Sequence, residues 1–173
     1  ELGFDVLRHT TVGDRLDDLR EVFRASASRA DLCVCSGGLG PTDDDLTARA
    51  VAEAFDRPLV LDHEALEWIE GLYARFGRTM PAPNAKQAEL PTGCTRFDNR
   101  WGTAPGFLVE VDGALLSFFP GVPRELRGMF DHHLVPLLHE RFDLTRARLV
   151  TLRTTGTGES NLQERIGRFE HPG

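Results

Sequence analysis

Apolar and polar positions along the chain follow two periods, which together predict an α/β protein. Apolar residues recur at helical spacing in residues 14–27, 44–55 and 63–76. A short apolar run at residues 30–35 and an earlier one at residues 4–10 are typical of strands. Strands that alternate with helices favour a parallel sheet covered by helices on both faces.

The second half of the chain is richer in predicted strands. Residues 106–120 contain two apolar runs around an Asp-Gly pair, which predicts a β-hairpin. Residues 123–142 predict a helix that Pro136 kinks or interrupts. A last strand is predicted at residues 147–156 and a last helix at residues 158–169. No repeat or linker divides the pattern, so we expect one domain.

Composition narrows the class of protein. A length of 173 residues, with 40% apolar and 27% charged residues, suits one soluble globular domain. The formal net charge of −7 argues against a nucleic-acid partner. No apolar run approaches the roughly 20 residues that span a bilayer. Three cysteines without metal-site spacing indicate free thiols, which suit the cytoplasm. Together with the net charge and the short apolar runs, they lead us to expect a cytoplasmic protein without membrane or nucleic-acid partners.

A glycine-rich stretch, SGGLGPTDDDLT, follows the apolar run at residues 30–35. Gly37, Gly38 and Gly40 would let the backbone come close to a ligand. The next predicted helix would direct its N-terminal N–H groups, which carry about half a positive charge, toward the same edge of the sheet. This combination favours an anionic ligand such as phosphate.

Three consecutive aspartates, Asp43, Asp44 and Asp45, complete that stretch. One of them can cap the following helix, which is worth about 1 kcal/mol. Three carboxylates beside a phosphate site also favour a bridging cation, since Mg²⁺ is held by one or two carboxylates together with substrate phosphates. A cap in a solvated acidic turn and a metal- or hydroxyl-binding site both stay open. The stretch matches neither a P-loop nor the dinucleotide-binding fingerprint.

Two further glycine-bearing turns and one lysine are candidates for the same site. In RWGTAPGF, Gly102 and Gly106 stand directly before a predicted strand, and in FFPGVPRE Gly121 lies between a strand and a helix. Each also fits an ordinary turn. Lys86 is the single lysine among 20 basic residues, and a compact ammonium is not interchangeable with guanidinium. Nucleophilic catalysis has little support, because no G-x-S-x-G elbow is present.

Five motifs in the same order resemble the N-terminal domain of the competence/damage-inducible protein A (CinA) family, which is similar to the molybdopterin-binding MoaB/MogA fold. These motifs are GGLGPTDDDLT, NAKQAELPTG, NRWGTAPGF, FFPGVPREL and TTGTGES. The resemblance implies a three-layer α/β/α sandwich with a mostly parallel sheet. It also implies a nucleotide or pterin ligand, self-association, and metal-dependent hydrolysis of the pyrophosphate of ADP-ribose.

The resemblance also implies roles for individual residues. Asp44 and Asp45 would act in catalysis by holding a divalent metal, Mg²⁺ or similar, or a ligand hydroxyl. Lys86 would neutralise charge on a phosphate oxygen. The expected ligand- and phosphate-binding residues are Gly37, Gly38, Gly40, Thr42, Gly102, Thr103, Gly106, Gly121 and Glu125.

Departures from the family pattern keep alternatives open. The family's opening strand with its GDELL-like segment and its C-terminal deamidase domain are not found in residues 1–173, so we expect a single CinA-type domain without them. Deamidation is therefore not assigned to this chain. Leu39 stands where molybdopterin-adenylylating relatives usually have threonine, so the GLGPT form resembles the CinA branch. The alternatives are a molybdopterin-binding or adenylylating enzyme of molybdenum cofactor biosynthesis, and a non-catalytic ligand-binding module.

Overall fold

The larger sheet is built around strand β6, whose six residues are all buried. The computed structural model describes residues 2–144, 151 and 153–166. Six strands are present in these residues: β1 (Leu32–Ser36), β2 (Leu59–Leu61), β3 (Glu89–Pro91), β4 (Thr95–Phe97), β5 (Gly106–Val111) and β6 (Ala114–Phe119). The larger sheet has the order β1-β6-β5-β4, and a smaller one pairs β2 with β3.

Apart from the 3-10 helix, the helices lie where the sequence analysis predicts them, with changed ends. They are α1 (Leu16–Ala27), α2 (Thr47–Ala54), α3 (His63–Arg75), a 3-10 helix (Ala82–Ala88), α4 (Pro123–Met129), α5 (Val135–Arg141) and α6 (Glu159–Ile166). Asp62 caps α3 by accepting a hydrogen bond from the Ala65 N–H at 2.9 Å. Among the described helices, none is both long enough and apolar enough to cross a bilayer.

Helices cover both faces of the larger sheet. Phe118 of β6 meets Phe23 of α1 edge-on, with ring centroids 5.1 Å apart. The next residue, Phe119, points to the opposite face, where its ring centroid lies 6.3 Å from that of Phe130. Burying one such ring contributes about 1.5–3 kcal/mol. The predicted α/β class and three-layer arrangement are confirmed.

The larger sheet is mixed, so its parallel part is smaller than the sequence analysis predicts. Strand β1 pairs with β6 in parallel, whereas β5 pairs antiparallel with both β6 and β4. The predicted hairpin explains the difference, since strands joined by a two-residue turn must run antiparallel. Asp112 and Gly113 form that turn with φ of 51° and 91°, as a type I′ turn requires.

Three predicted elements differ from those in the structure or are defined more closely by it. The strand predicted at residues 4–10 is wrong: these residues have no regular structure, and Val6 and Leu7 are 74% and 72% exposed. Helix α2 begins at Thr47 rather than at the aspartates. The helix predicted at residues 123–142 is interrupted, as expected, and takes a π-helical turn before α5.

The chain divides into two units, residues 5–144 and a second unit formed by residues 1–4 and 145–173. Helix α6 belongs to the second unit and confirms the last predicted helix as far as it is described. The strand predicted at residues 147–156 lies largely outside the described residues. One domain over residues 1–173 stays a prediction. All candidate site residues belong to the first unit.

We predict opposite effects for two glycine-to-alanine substitutions. A Cβ at Gly106 would lie 2.7 Å from the carbonyl oxygen of Phe118 in the sheet, so Gly106→Ala should lower the free energy of unfolding by about 1–3 kcal/mol. Gly71 is inside α3 with open space at its Cβ position, so Gly71→Ala should raise it by about 0.5–1 kcal/mol. Urea unfolding followed by circular dichroism measures both, and equal stabilities would contradict this packing.

Candidate functional site

The three glycine-bearing turns meet at one edge of the larger sheet. They are the glycine loop (residues 37–46), the second turn (residues 100–106) and the third turn (residues 120–122). The first follows β1 and the third follows β6; these strands are parallel, so both end at the same edge. Strand β5 runs antiparallel to β6 and therefore begins there, directly after the second turn. This matches the arrangement that the sequence analysis expects.

The glycine loop is bonded to the end of β6 and passes close to the third turn. The N–H of Gly37 donates to the carbonyl oxygen of Phe119 at 2.9 Å, which extends the parallel ladder by one bond beyond β1. A Cβ at Gly121 would lie 3.5 Å from the Cα of Gly37, an ordinary van der Waals contact. The glycine loop therefore starts from a fixed position on β6.

The glycine loop folds back onto the start of α2. Thr47 donates its hydroxyl to the Gly37 carbonyl at 2.9 Å and its N–H to the Gly38 carbonyl at 3.0 Å. Gly38 has φ of +68°, and a Cβ there would lie 2.2 Å from the Thr47 hydroxyl oxygen. Glycine is thus required at this position by the loop's own packing, and one N–H of the helix N-terminus is already bound within the loop.

Thr42 is the centre of the loop's hydrogen bonds. Asp45 accepts from the Thr42 N–H at 2.9 Å and from its hydroxyl at 2.7 Å. Asp44 also contacts that hydroxyl, whose single proton serves one carboxylate at a time. A helix cap by an aspartate is not present, since the N-cap of α2 is Leu46 without a side-chain hydrogen bond. Asp45 instead holds the loop closed.

The predicted catalytic residues lie together around Thr42. Lys86 donates its ammonium to the carbonyl oxygen of Thr42, 44 positions earlier in the chain. Burial alone would raise the pKa of Asp45, but hydrogen bonds from Thr42 and Gly40 and the charge of Lys86 outweigh it and hold that pKa below its usual value. Asp45 is therefore ionised at neutral pH.

A cleft of about 170 Å³ lies between the glycine loop, the 3-10 helix and the second turn. Gly38, Gly40, Asp45 and Lys86 line it, as does Pro105 of the second turn. Three more polar lining residues, Arg49, Gln87 and Glu89, are not among the predicted site residues. Arg49 carries no local signal for a binding role, and Gln87 stands in the motif NAKQAELPTG beside Lys86.

A second hydrogen-bonded group holds the second turn against α4. The amide nitrogen of Asn99, a residue 1% exposed, donates to Glu125 at 2.7 Å and to the Ala104 carbonyl at 2.8 Å. A Cβ at Gly102 would lie 2.3 Å from the Glu125 carboxylate. Glu125 and Gly102 therefore pack against each other and shape the turn. Asn99 is a missed residue, because its partner lies 26 positions away in the chain.

Thiol and metal chemistry find limited support in the described residues. All three cysteines are free, as predicted. Burial raises the pKa of Cys35 to about 12 and also raises that of Cys33, so both thiols stay protonated at neutral pH. No group of three or more histidine, cysteine, aspartate or glutamate side chains suits a metal ion within the described ranges. A metal at Asp44 and Asp45 stays a prediction.

Comparison with known proteins identifies the class. Residues 1–140 match the family model described as a probable molybdopterin binding domain. The chain is 43% identical over 173 residues to a CinA-like protein of Shewanella sp. (strain ANA-3), covering 99% of this chain and 41% of that protein. The chain therefore belongs to the molybdopterin-binding domain family and, within it, to the CinA type.

Two further proteins resemble this chain, one by sequence and one by both sequence and structure. A nicotinamide-nucleotide amidohydrolase PncC of Shewanella oneidensis is 42% identical over 173 residues, covering 99% of this chain and 41% of that protein. The crystal structure of CinA from Thermoplasma acidophilum, whose function is described as unknown, aligns with a TM-score of 0.65 and 34% identity over 72% of each chain. The chain thus spans about two fifths of the length of the curated relatives it matches.

We predict an acid-dependent contribution of Asp45 to stability. A lowered pKa in the folded state means that the ionised carboxylate stabilises the fold above the unfolded-state pKa of about 4, and that this contribution disappears as pH falls through the folded-state pKa. Asp45→Asn should lower the free energy of unfolding at pH 7 by about 1 kcal/mol through its lost hydrogen bonds. The difference from the wild type should shrink below pH 4.

The control is Asp43→Asn, which changes an exposed neighbouring carboxylate of the same loop. Its stability should follow the wild type at each pH in urea unfolding between pH 7 and pH 3. A constant difference between Asp45→Asn and the wild type across this range would contradict the assignment.

Proposed function

We propose that the cleft binds the phosphates of a nucleotide and that the domain hydrolyses the pyrophosphate of ADP-ribose. The observation that carries this proposal is the convergence of the glycine loop, Lys86 and the second turn on one cleft at the sheet edge. Open α/β sheets bind ligands at such an edge. The resemblance to the CinA family supplies the identity of the substrate.

The volume of the cleft supports a phosphate subsite rather than a pocket for the whole nucleotide. Ligand pockets typically enclose about 300–1,000 Å³, whereas this cleft measures about 170 Å³. The pyrophosphate would occupy the cleft, and the two ribose-linked ends would extend along the sheet edge. Two cations, Lys86 and Arg49, and two carboxylates, Asp45 and Glu89, line the cleft. The pyrophosphate would contact the cations directly, and a divalent cation would separate it from Asp45.

The residues of the loop fit a divalent cation bound together with substrate. Asp44 is exposed, Asp45 is ionised, and both lie at the same threonine. Mg²⁺ needs only one or two carboxylates when phosphate oxygens complete its coordination. When bound, the metal would lower the pKa of a water molecule and supply the nucleophile.

The protein's own residues contribute position and charge. Lys86 would neutralise the charge that develops on a phosphate oxygen, and the loop would hold the pyrophosphate in line with the attacking water. Water adds to one phosphorus and the bridging P–O bond breaks, which yields AMP and ribose 5-phosphate. The leaving phosphate oxygen carries the charge that Lys86 neutralises.

A molybdopterin ligand is the second candidate, because the matching family model carries that description. A pterin would place its own phosphate at the same cleft, so the two candidates share the phosphate subsite. The amidohydrolase activity named for the Shewanella oneidensis relative is that of a protein more than twice the matched length. We therefore do not propose it for this chain.

We predict that the chain releases AMP from ADP-ribose in the presence of Mg²⁺. Asp44→Asn and Lys86→Ala should lower kcat by about 100-fold or more, the usual cost of removing one group that stabilises transition-state charge. Asp43→Asn is the matched control for Asp44→Asn and should retain activity. Lys86→Arg keeps the charge and should recover part of the rate lost in Lys86→Ala.

The measurement is chromatographic detection of AMP, run beside thermal unfolding of each variant. Loss of stability that accounts for the whole loss of activity would assign Lys86 to loop structure alone. Absence of AMP release by the wild type, together with adenylylation of molybdopterin by ATP, would favour the second candidate.

A further inference from the structure

Gln87 places a buried amide beside the proposed phosphate subsite. It lies on the 3-10 helix next to Lys86, is 7% exposed and lines the cleft. A buried amide carries two donor hydrogens and one acceptor oxygen, and each costs free energy when it is left without a partner. The direction in which this amide points therefore matters for the chemistry of the cleft.

Asn84 determines that direction. Its amide nitrogen donates to the carbonyl oxygen of Gln87 at 3.3 Å and to the hydroxyl oxygen of Tyr73 at 3.0 Å. An amide nitrogen only donates, so the end of Gln87 that faces Asn84 is its oxygen. The nitrogen of Gln87 consequently faces the opposite way, toward the glycine loop. Asn84 is itself 7% exposed, which keeps water from competing for these bonds.

The donor end of Gln87 is only weakly used within the protein. Its nitrogen contacts the carbonyl oxygen of Leu39 at 3.5 Å, the outer limit of a hydrogen bond. The same nitrogen carries a second hydrogen. A donor that lies at a cleft with one long contact has capacity for an acceptor oxygen supplied by a ligand.

We infer that Gln87 is a further ligand-binding residue, which donates from its amide nitrogen to a phosphate oxygen in the cleft, and that Asn84 is the positioning residue that keeps the donor end toward the ligand. The inference rests on the proposed function for the presence of a phosphate in the cleft. Phosphate is the acceptor that the neighbouring Lys86 favours. A phosphate group also offers several acceptor oxygens, so Lys86 and Gln87 need not share one.

Two nearly isosteric substitutions test the direction of the amide. Gln87→Glu replaces the donor by a second oxygen, and at pH 8 it should raise the dissociation constant for ADP-ribose about tenfold or more. Asn84→Asp replaces a donor by an acceptor, so the amide of Gln87 should turn its nitrogen toward Asp and present oxygen to the cleft. This substitution should weaken ADP-ribose binding to a similar extent, although residue 84 does not line the cleft.

Tyr73→Phe is the matched control. It removes the hydroxyl contacted by Asn84 but leaves the bond between Asn84 and Gln87, so affinity should stay within about twofold of the wild type. Isothermal titration calorimetry with a non-hydrolysing preparation, free of divalent metal, measures all four proteins. Unchanged affinity in Gln87→Glu would overturn the inference, as would a loss in Tyr73→Phe as large as that in Asn84→Asp.

A measurement on the wild type keeps the inference testable if a variant does not fold. In ¹⁵N-labelled protein, inorganic pyrophosphate or ADP-ribose should shift the side-chain amide signals of Gln87 together with the backbone amides of Gly38 and Gly40. A shift with pyrophosphate but no AMP release from ADP-ribose would support Gln87 while contradicting the proposed hydrolysis. Gln87 signals that stay unmoved by both probes would overturn the inference.

Discussion

The candidate site depends on the hydrogen bonds that three groups of Thr42 make: its N–H, its hydroxyl and its carbonyl oxygen. Its N–H and hydroxyl bind Asp45, and its carbonyl oxygen binds Lys86, so one residue connects the acidic part of the loop to the only lysine of the chain. Each of these bonds is worth about 1 kcal/mol on its own, more where an ion takes part. Together they hold a glycine-rich backbone, which would otherwise be free to move, in one conformation.

The sheet supplies the position of that loop. Parallel pairing of β1 with β6 brings two strand ends to one edge, and the antiparallel hairpin brings the start of β5 to the same edge. The mixed sheet thus assembles three turns that are far apart in sequence. Phe118 and Phe119 pack against aromatic rings on the two faces of the sheet. This packing fixes β6, the strand that ends at the site.

The sequence pattern predicted those features of the structure that depend on residues close together in the chain. The Asp112-Gly113 turn, the interruption near Pro136 and the apolar faces of α1 and α3 each follow from neighbouring residues. The beginning of α2 does not, because Thr47 finds its partner Gly37 ten positions earlier. Tertiary contacts of this kind displaced the predicted helix start from the aspartates.

Contacts between residues far apart in the chain were also missed at the candidate site. The motifs indicated which segments meet, and the structure places Asp44, Asp45 and Lys86 around one threonine. Their roles in catalysis stay a prediction. Partners such as Gln87 and Leu39, 48 positions apart, carry no signal in a single sequence. Several glycines expected to make room for a ligand also make room for side chains of the protein, as Gly38 does for Thr47.

The ammonium of Lys86 donates to a carbonyl oxygen of the protein and lies near the carboxylate of Asp45. An incoming anion would exchange one partner of this ammonium for another rather than satisfy a lone charge. Such an exchange gains less free energy than pairing a free charge would. Under the proposed hydrolysis, this smaller gain would favour the release of the two anionic products.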